Sequence, residues 1–208
     1  HKEYRRQRQM CIRDSSSTAW YDISGKNNHC VWTSTPTWTN NTFSFDGAAN
    51  YGTITNNSTF DFANNMTLMM LLYSTSSSGR RNPWDQAYGG YGTWTDEPAG
   101  SMSSYYGDAG GNTTPYDGRG VTFARSTWTL LCSTRDTSYH KWYKNATLTE
   151  TFAHTYGTLT TTTNNIRIGL GYAGYWLGSM SIVLAYASTL TQEEVNQNYA
   201  ALRGRYTL

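Results

Sequence analysis

With 208 residues, 38% of them apolar and 15% aromatic, the chain is long enough for one domain with an adequate core, much of whose burial its large rings supply. Its formal charge of +2 is unevenly placed: Lys2, Arg5, Arg6, Arg8 and Arg13 face only Glu3 and Asp14 in the first fifteen residues, so the remaining body carries a net −1. A near-neutral body excludes an extended electrostatic footprint for nucleic acid or anionic lipid. The longest apolar run, Leu68 to Leu72, excludes a membrane-spanning helix, which needs ~20 such residues.

The run Arg5 to Ser15 breaks abruptly into different sequence by Trp20. Residues 1–17 are therefore set apart as a tail, foreign or unstructured, and 18–208 as the domain. The chain does not begin with Met and is read as part of a longer protein. Trp20 to Asn28 is expected to be a loop with turn residues Gly25 and Asn27, followed by a strand from His29 to Thr33. Phe43 and Phe45 alternate with Ser44 before Asp46-Gly47, and Tyr51 to Thr55 returns, which suggests a hairpin. Met66 to Tyr73 is a central buried strand. Strands over Tyr88 to Thr95 and Ser101 to Tyr106 are joined by a turn through Pro98 and Gly100, and Gly107 to Gly120 is loop.

Trp128 to Thr134 and Tyr139 to Lys144 form two more strands, closed by Asn145-Ala146 where Gly would fit better. Ala146→Gly is expected to stabilise by about 1 kcal/mol if that turn is of type I′. Leu148 to Tyr156 follows. Ile166, Ile168 and Leu170 alternate with Arg167 and Gly169, Gly171 and Gly174 mark a turn, and Tyr175 to Tyr186 is apolar enough to be covered on both faces. Thr191 and Glu194 have the spacing of a capping box, so a helix starts there. Val195, Tyr199 and Leu202 form its buried stripe and Gly204 its end.

Three phrases, Trp20 to His29, Phe43 to Ile54 and Gly174 to Tyr206, resemble the laminin-G-like, concanavalin A-like jelly rolls, and more narrowly those of viral and phage structural proteins and bacterial surface proteins. The resemblance implies an all-β fold: a two-sheet antiparallel jelly-roll sandwich whose first and last strands pair, with a short C-terminal helix outside. It implies a virion or cell-surface location and, among laminin-G-like relatives, an occasional Ca²⁺ at the sandwich rim. Asp85, Asp96, Asp108 and Asp117 are the loop acids available for such an ion, against the plainer reading as solvated turn acids.

Enzymatic chemistry finds little support. Glucanases of this fold set carboxylates at alternating positions of one strand; none alternate here, and Asp96 and Glu97 would point to opposite faces. Gly169 to Gly174 satisfies G-x-G-x-x-G, but strand-like residues follow where a helix is needed, so it is read as a hairpin turn. No G-x-S-x-G occurs, and His29, His140 and His154 are read as structural. Cys30 and Cys132 are read as reduced, buried small hydrophobes. Six N-x-S/T sequons begin at Asn40, Asn56, Asn57, Asn65, Asn112 and Asn145.

The density of rings and polar groups in the middle of the chain carries the functional expectation. Trp84, Tyr88, Tyr91, Trp94, Tyr105, Tyr106 and Tyr116 can stack on sugar faces while Asp108 and Asn112 orient hydroxyls, giving a non-enzymatic carbohydrate-binding or adhesion module. The same rings can instead fill the core. The second reading is a decoration or spacer domain of a viral particle, with a neighbouring protein as partner; neither reading involves nucleic acid or membrane insertion.

Overall fold

The computed structural model describes residues 10–15, 18–62, 65–86, 92–105, 120–153 and 162–206. In chain order the strands are β1 (Met10–Ser15), β2 (Ala19–Asp22), β3 (Cys30–Ser34), β4 (Thr37–Thr39), β5 (Thr42–Asp46), β6 (Tyr51–Ile54), β7 (Met66–Ser74), β8 (Arg81–Asp85) and β9 (Thr93–Glu97). They continue as β10 (Ser101–Tyr105), β11 (Gly120–Thr122), β12 (Thr129–Arg135), β13 (Tyr139–Lys144), β14 (Thr147–Ala153), β15 (Ile166–Ile168), β16 (Leu170–Gly171), β17 (Gly174–Tyr175) and β18 (Leu177–Tyr186), and the helix α1 (Gln192–Tyr206) follows. A 3₁₀ turn, Ser58–Phe60, is capped by Asn57, whose side chain accepts from the Thr59 N–H.

The strands form two antiparallel sheets. Sheet A runs β4–β5–β18–β7–β12–β13–β14. Sheet B runs β2–β3–β6–β15–β8–β9–β10–β11. β1 serves both: Met10 and Cys11 lie opposite Ala185 and Leu184 of β18, and Ile12 to Ser15 pair with β2. The strand that meets the last one at the start of the chain therefore lies within residues 1–17.

Two apolar layers hold the sandwich. Between the sheets, Trp20, Trp32, Phe43 and Phe45 pack with Met70, Leu72, Trp84, Trp94, Trp142 and Val183. Outside sheet A, Met69, Leu71, Leu130, Cys132, Ile182 and Leu184 meet Val195, with Tyr199 and Leu202 against them. Successive residues of β7 alternate between these layers, which is why its sequence reads as one continuous apolar run. The helix begins as its spacing predicts: Thr191 N–H donates to Glu194 Oε2 at 2.8 Å and Glu194 N–H to Thr191 Oγ1 at 3.3 Å.

Several expectations change. Residues 20–22, expected in a loop, lie in β2. β5 and β6 do not form a hairpin: β5 pairs in sheet A and β6 in sheet B, because the turn between them crosses the sandwich. Asp46 makes that crossing, its Oδ1 accepting from the N–H groups of Ala48, Ala49 and Asn50. These bonds, Ala49 and Ala48 foremost, hold its carboxyl below the ordinary aspartate range. Gly204 does not end α1, which continues to Tyr206. Its φ is not positive, so it is an interior glycine and not a left-handed cap. β8 was hidden by Pro83, which a strand interior disfavours. The register shifts between Arg81 and Trp84, and a proline fits at such a bulge, where the ladder lacks a bond.

Cys30 belongs to the layer between the sheets and Cys132 to the layer under the helix, and both are free. Burial pushes both thiols up, so they stay protonated and inert. His140 is likewise buried, against the rings of Trp142 and Phe152.

Candidate binding site on the outer face of sheet B

The helix covers sheet A; among the described residues no helix packs on sheet B. Strand alternation decides which side chains reach the outer face of sheet B. In the β8–β9–β10 ladder, Trp84 lies opposite Trp94 and Trp94 opposite Ser104, so the two tryptophans share one face, and that face points inward. Both are 1% exposed, and Trp94 lies 4.8 Å from Trp142 of sheet A. They are core residues and offer no platform to a ligand. The expected stacking role therefore fails for these two on strand parity.

Tyr105 takes the other parity and lies half-buried on the outer face, with Thr93, Thr95, Glu97 and Ser103. Its hydroxyl donates to Glu97 Oε1 at 2.6 Å and accepts from Arg80 Nη2 at 2.5 Å. Arg80 grips the same carboxylate in a fork, Nε to Oε2 at 3.0 Å and Nη2 to Oε1 at 3.1 Å. Its guanidinium carbon lies 5.3 Å from the Tyr105 ring centroid. Tyr105 and Glu97 lean towards each other over the pair Ser103–Thr95, which explains why those two small polar residues are buried.

The β16–β17 hairpin lies alongside β8, next to this cluster. Tyr175 pairs with Asn82 in parallel, the Ala173 N–H donates to Asn82 Oδ1 at 2.6 Å, and Asn82 Nδ2 donates to Trp94 O and Thr95 Oγ1. Arg81 Nη1 donates to the carbonyls of Gly47 and Tyr175. Gly171 has no room for a side chain: a Cβ there would sit 2.6 Å from Asn82 Cβ and 2.7 Å from Asp85 Cβ. The G-x-G-x-x-G run is thus a hairpin, with its tip at Tyr172 and Ala173. Tyr172, at 69% exposure, is the most exposed of the large hydrophobic side chains.

The acids occupy separate settings. Asp85 is buried and accepts from Thr93 Oγ1 at 2.7 Å. Asp96 is buried on the inner side, accepting from Ser74 Oγ at 2.5 Å and Arg125 Nη2 at 3.1 Å. Burial raises its carboxyl above the usual range, while Ser74 and Arg125 pull it back down. Asp96 and Glu97 do point to opposite faces, so they form no acid–nucleophile pair. Among the described residues no group of three or more His, Cys, Asp or Glu side chains could hold a metal ion. Tyr88, Tyr91, Tyr106, Asp108, Asn112, Tyr116 and Asp117 lie outside the described residues.

Of the residues on this face, Tyr105 is among those the sequence singled out, and Arg80, Glu97 and Tyr172 are not. The Arg80–Glu97 pair depends on the β8–β9 register, which no local spacing reveals. Tyr172 did carry a signal, an aromatic between glycines at a tight turn where no core position is available.

A laminin-G model, described as the concanavalin A-like lectin/glucanases superfamily, matches residues 46–196. The chain belongs to that superfamily. Solved structures similar in fold to this chain include three binding domains. One is the receptor-binding domain of botulinum neurotoxin C/D mosaic serotype, with TM-score 0.76, 12% identity, and coverage of 95% of this chain and 52% of that one. Another is the botulinum neurotoxin serotype D ligand-binding domain in complex with N-acetylneuraminic acid, with TM-score 0.75, 12% identity, and coverage of 97% and 52%. The third is the binding domain of Paraclostridial Mosquitocidal Protein 1, with TM-score 0.77, 10% identity, and coverage of 95% and 53%. At these identities the shared property is the fold, and the chain spans about half the length of each. No curated protein matches it by sequence.

Proposed function

We propose that this concanavalin A-like domain is a non-enzymatic carbohydrate-binding module acting at a virion or cell surface, and that the outer face of sheet B is its grip. The observation that carries the reading is the grouping of Tyr105, Arg80 and Glu97 on the outer face of sheet B, beside a hairpin that presents Tyr172 to solvent. Rings supply apolar faces for sugar C–H groups, and a braced guanidinium–carboxylate pair orients hydroxyls. Superfamily membership and the toxin domain that holds N-acetylneuraminic acid support the class of ligand. Of the rings expected to bind, Tyr105 is the described one that lies on this face.

A glycan array at millimolar ligand, with calcium present, tests the proposal. Wild-type protein should bind at least one glycan. Tyr172→Ala should weaken that binding at least tenfold without moving the unfolding midpoint, since the ring is mostly exposed. No binder at all, or an unchanged affinity in Tyr172→Ala and Tyr105→Phe alike, would refute it.

A second reading, a decoration or spacer domain contacting a neighbouring protein, is favoured by a different part of sheet B. Tyr21 and Val31 project from β2 and β3 with Ile23 beside them, exposed by 39%, 57% and 47%. Concentration-dependent association that Val31→Glu abolishes would support it; a strictly monomeric chain that captures no particle subunit would not.

A further inference from the structure

The charges on the sheet-B face narrow the ligand further than the fold does. Among the described residues, the arginines of sheet B have partners on one side or the other of the sheet. Arg80 is forked onto Glu97, Arg125 donates to Asp96, and Arg167 lies opposite Asp85 in the β15–β8 register. Arg81 is spent on two carbonyls and also faces Asp96. Arg80 and Glu97 cancel within their own pair, so this pair presents no net charge to an approaching anion.

Hydrogen-bond capacity points the same way. A guanidinium has five N–H donors, and Arg80 gives those on Nε and Nη2 to Glu97 and Tyr105, leaving the Nη1 donors. Glu97 Oε1 already takes two bonds, whereas Oε2 takes one and has room for another. The side chains are 39% and 20% exposed, so these leftover groups reach solvent. One end donates and the other accepts. A pair of sugar hydroxyls matches that mixture, because each hydroxyl can do both. A carboxylate or sulfate has no proton for Glu97 and would be repelled by it. Arg125 Nη1 is buried without a partner, so it too is out of a ligand's reach.

We infer that the cluster of Arg80, Glu97 and Tyr105 selects neutral, hydroxyl-rich sugars over carboxylated or sulfated ones, with Glu97 as the residue that sets the choice. The inference rests on the carbohydrate reading of this face. It is tested on an array of matched pairs, each a neutral glycan and its terminally carboxylated or sulfated counterpart, probed with wild type and Glu97→Gln at low and high salt. Wild type should prefer the neutral members, with affinity changing less than twofold between about 20 and 300 mM NaCl, because no net charge is there to be screened. Glu97→Gln leaves Arg80 uncompensated and should raise relative binding of the acidic members at least fivefold, with a salt dependence that wild type lacks. Wild-type preference for acidic members that fades with salt would overturn the inference and leave the carbohydrate reading standing. Binding to neither set would overturn the carbohydrate reading itself. Should Glu97→Gln not fold, the wild-type salt series and pair preference decide alone.

Discussion

The turn between β13 and β14 offers a test in which two neighbouring residues answer differently. Asn145 and Ala146 have φ of 48° and 67°, a two-residue turn of type I′ sense. On backbone conformation alone, replacing Ala146 by Gly should gain about 1 kcal/mol. But the Ala146 methyl is buried in the layer beneath α1, only 9% of the residue being exposed. A buried methyl contributes about 0.8 kcal/mol. The two effects offset, and Ala146→Gly should fall within about 0.5 kcal/mol of wild type, not the full gain expected from sequence. Asn145 is different: its N–H donates to Leu130 O and its Oδ1 accepts from Leu130 N–H, each at 2.9 Å. Asn145→Gly keeps the conformation but leaves a buried N–H without its acceptor, a loss of about 1–2 kcal/mol. Asn145→Ala adds about 1 kcal/mol of left-handed strain. Urea unfolding followed by tryptophan fluorescence, at constant m, should therefore rank wild type and Ala146→Gly together, then Asn145→Gly, then Asn145→Ala. The reasoning is refuted by an Asn145→Gly as stable as wild type, or by an Ala146→Gly that gains the full 1 kcal/mol.

Three other expectations follow from the same structure. Because backbone N–H groups lower the Asp46 carboxyl, its contribution is complete above the ordinary aspartate pKa of ~3.9 and is lost as pH falls through the lower folded value. Asp46→Ala should therefore be less stable than wild type at pH 6, with the gap narrowing in matched denaturant titrations as pH falls below the ordinary aspartate value. Arg125→Met should cost roughly 2–4 kcal/mol at pH 7 by stranding buried Asp96. Burial already raises that carboxyl, so the folded state takes up a proton more readily than the unfolded one, and the deficit should shrink as pH drops from 7 towards 4.5. Gly52→Ala would place a Cβ 2.4 Å from Cys30 Sγ and 2.6 Å from the Trp32 ring, in the middle of sheet B. It should lower stability by about 1–3 kcal/mol, seen as a reduced unfolding midpoint.

What could be read in the sequence was what local chemistry determines. Thr191 and Glu194 lie one helical turn apart and form their box whatever surrounds them. Ile166 and Ile168 alternate because one face of β15 is buried, and β7 is apolar throughout because both of its faces are. The unreadable parts depend on partners distant in sequence. Phe43 and Phe45 suit a hairpin or a crossing equally well, and only pairing with β18 places β5 in sheet A. Trp84 and Trp94 have the composition of a sugar platform and the strand parity of a core. Nothing in their neighbours distinguishes the two, because Pro83 and the bulge beside it set the phase of β8. The Arg80–Glu97–Tyr105 cluster spans three strands and comes into being only when the ladder closes.

The two sheets carry unequal duties. With an apolar layer on each side, sheet A and its helix leave little freedom to the residues that build them. On the outer side of sheet B, Tyr172 is mostly exposed and Arg80 is partly so. Such a division lets a lineage rewrite what the domain recognises while leaving its foundation untouched, and it makes sheet B the natural place to graft a new specificity onto this scaffold.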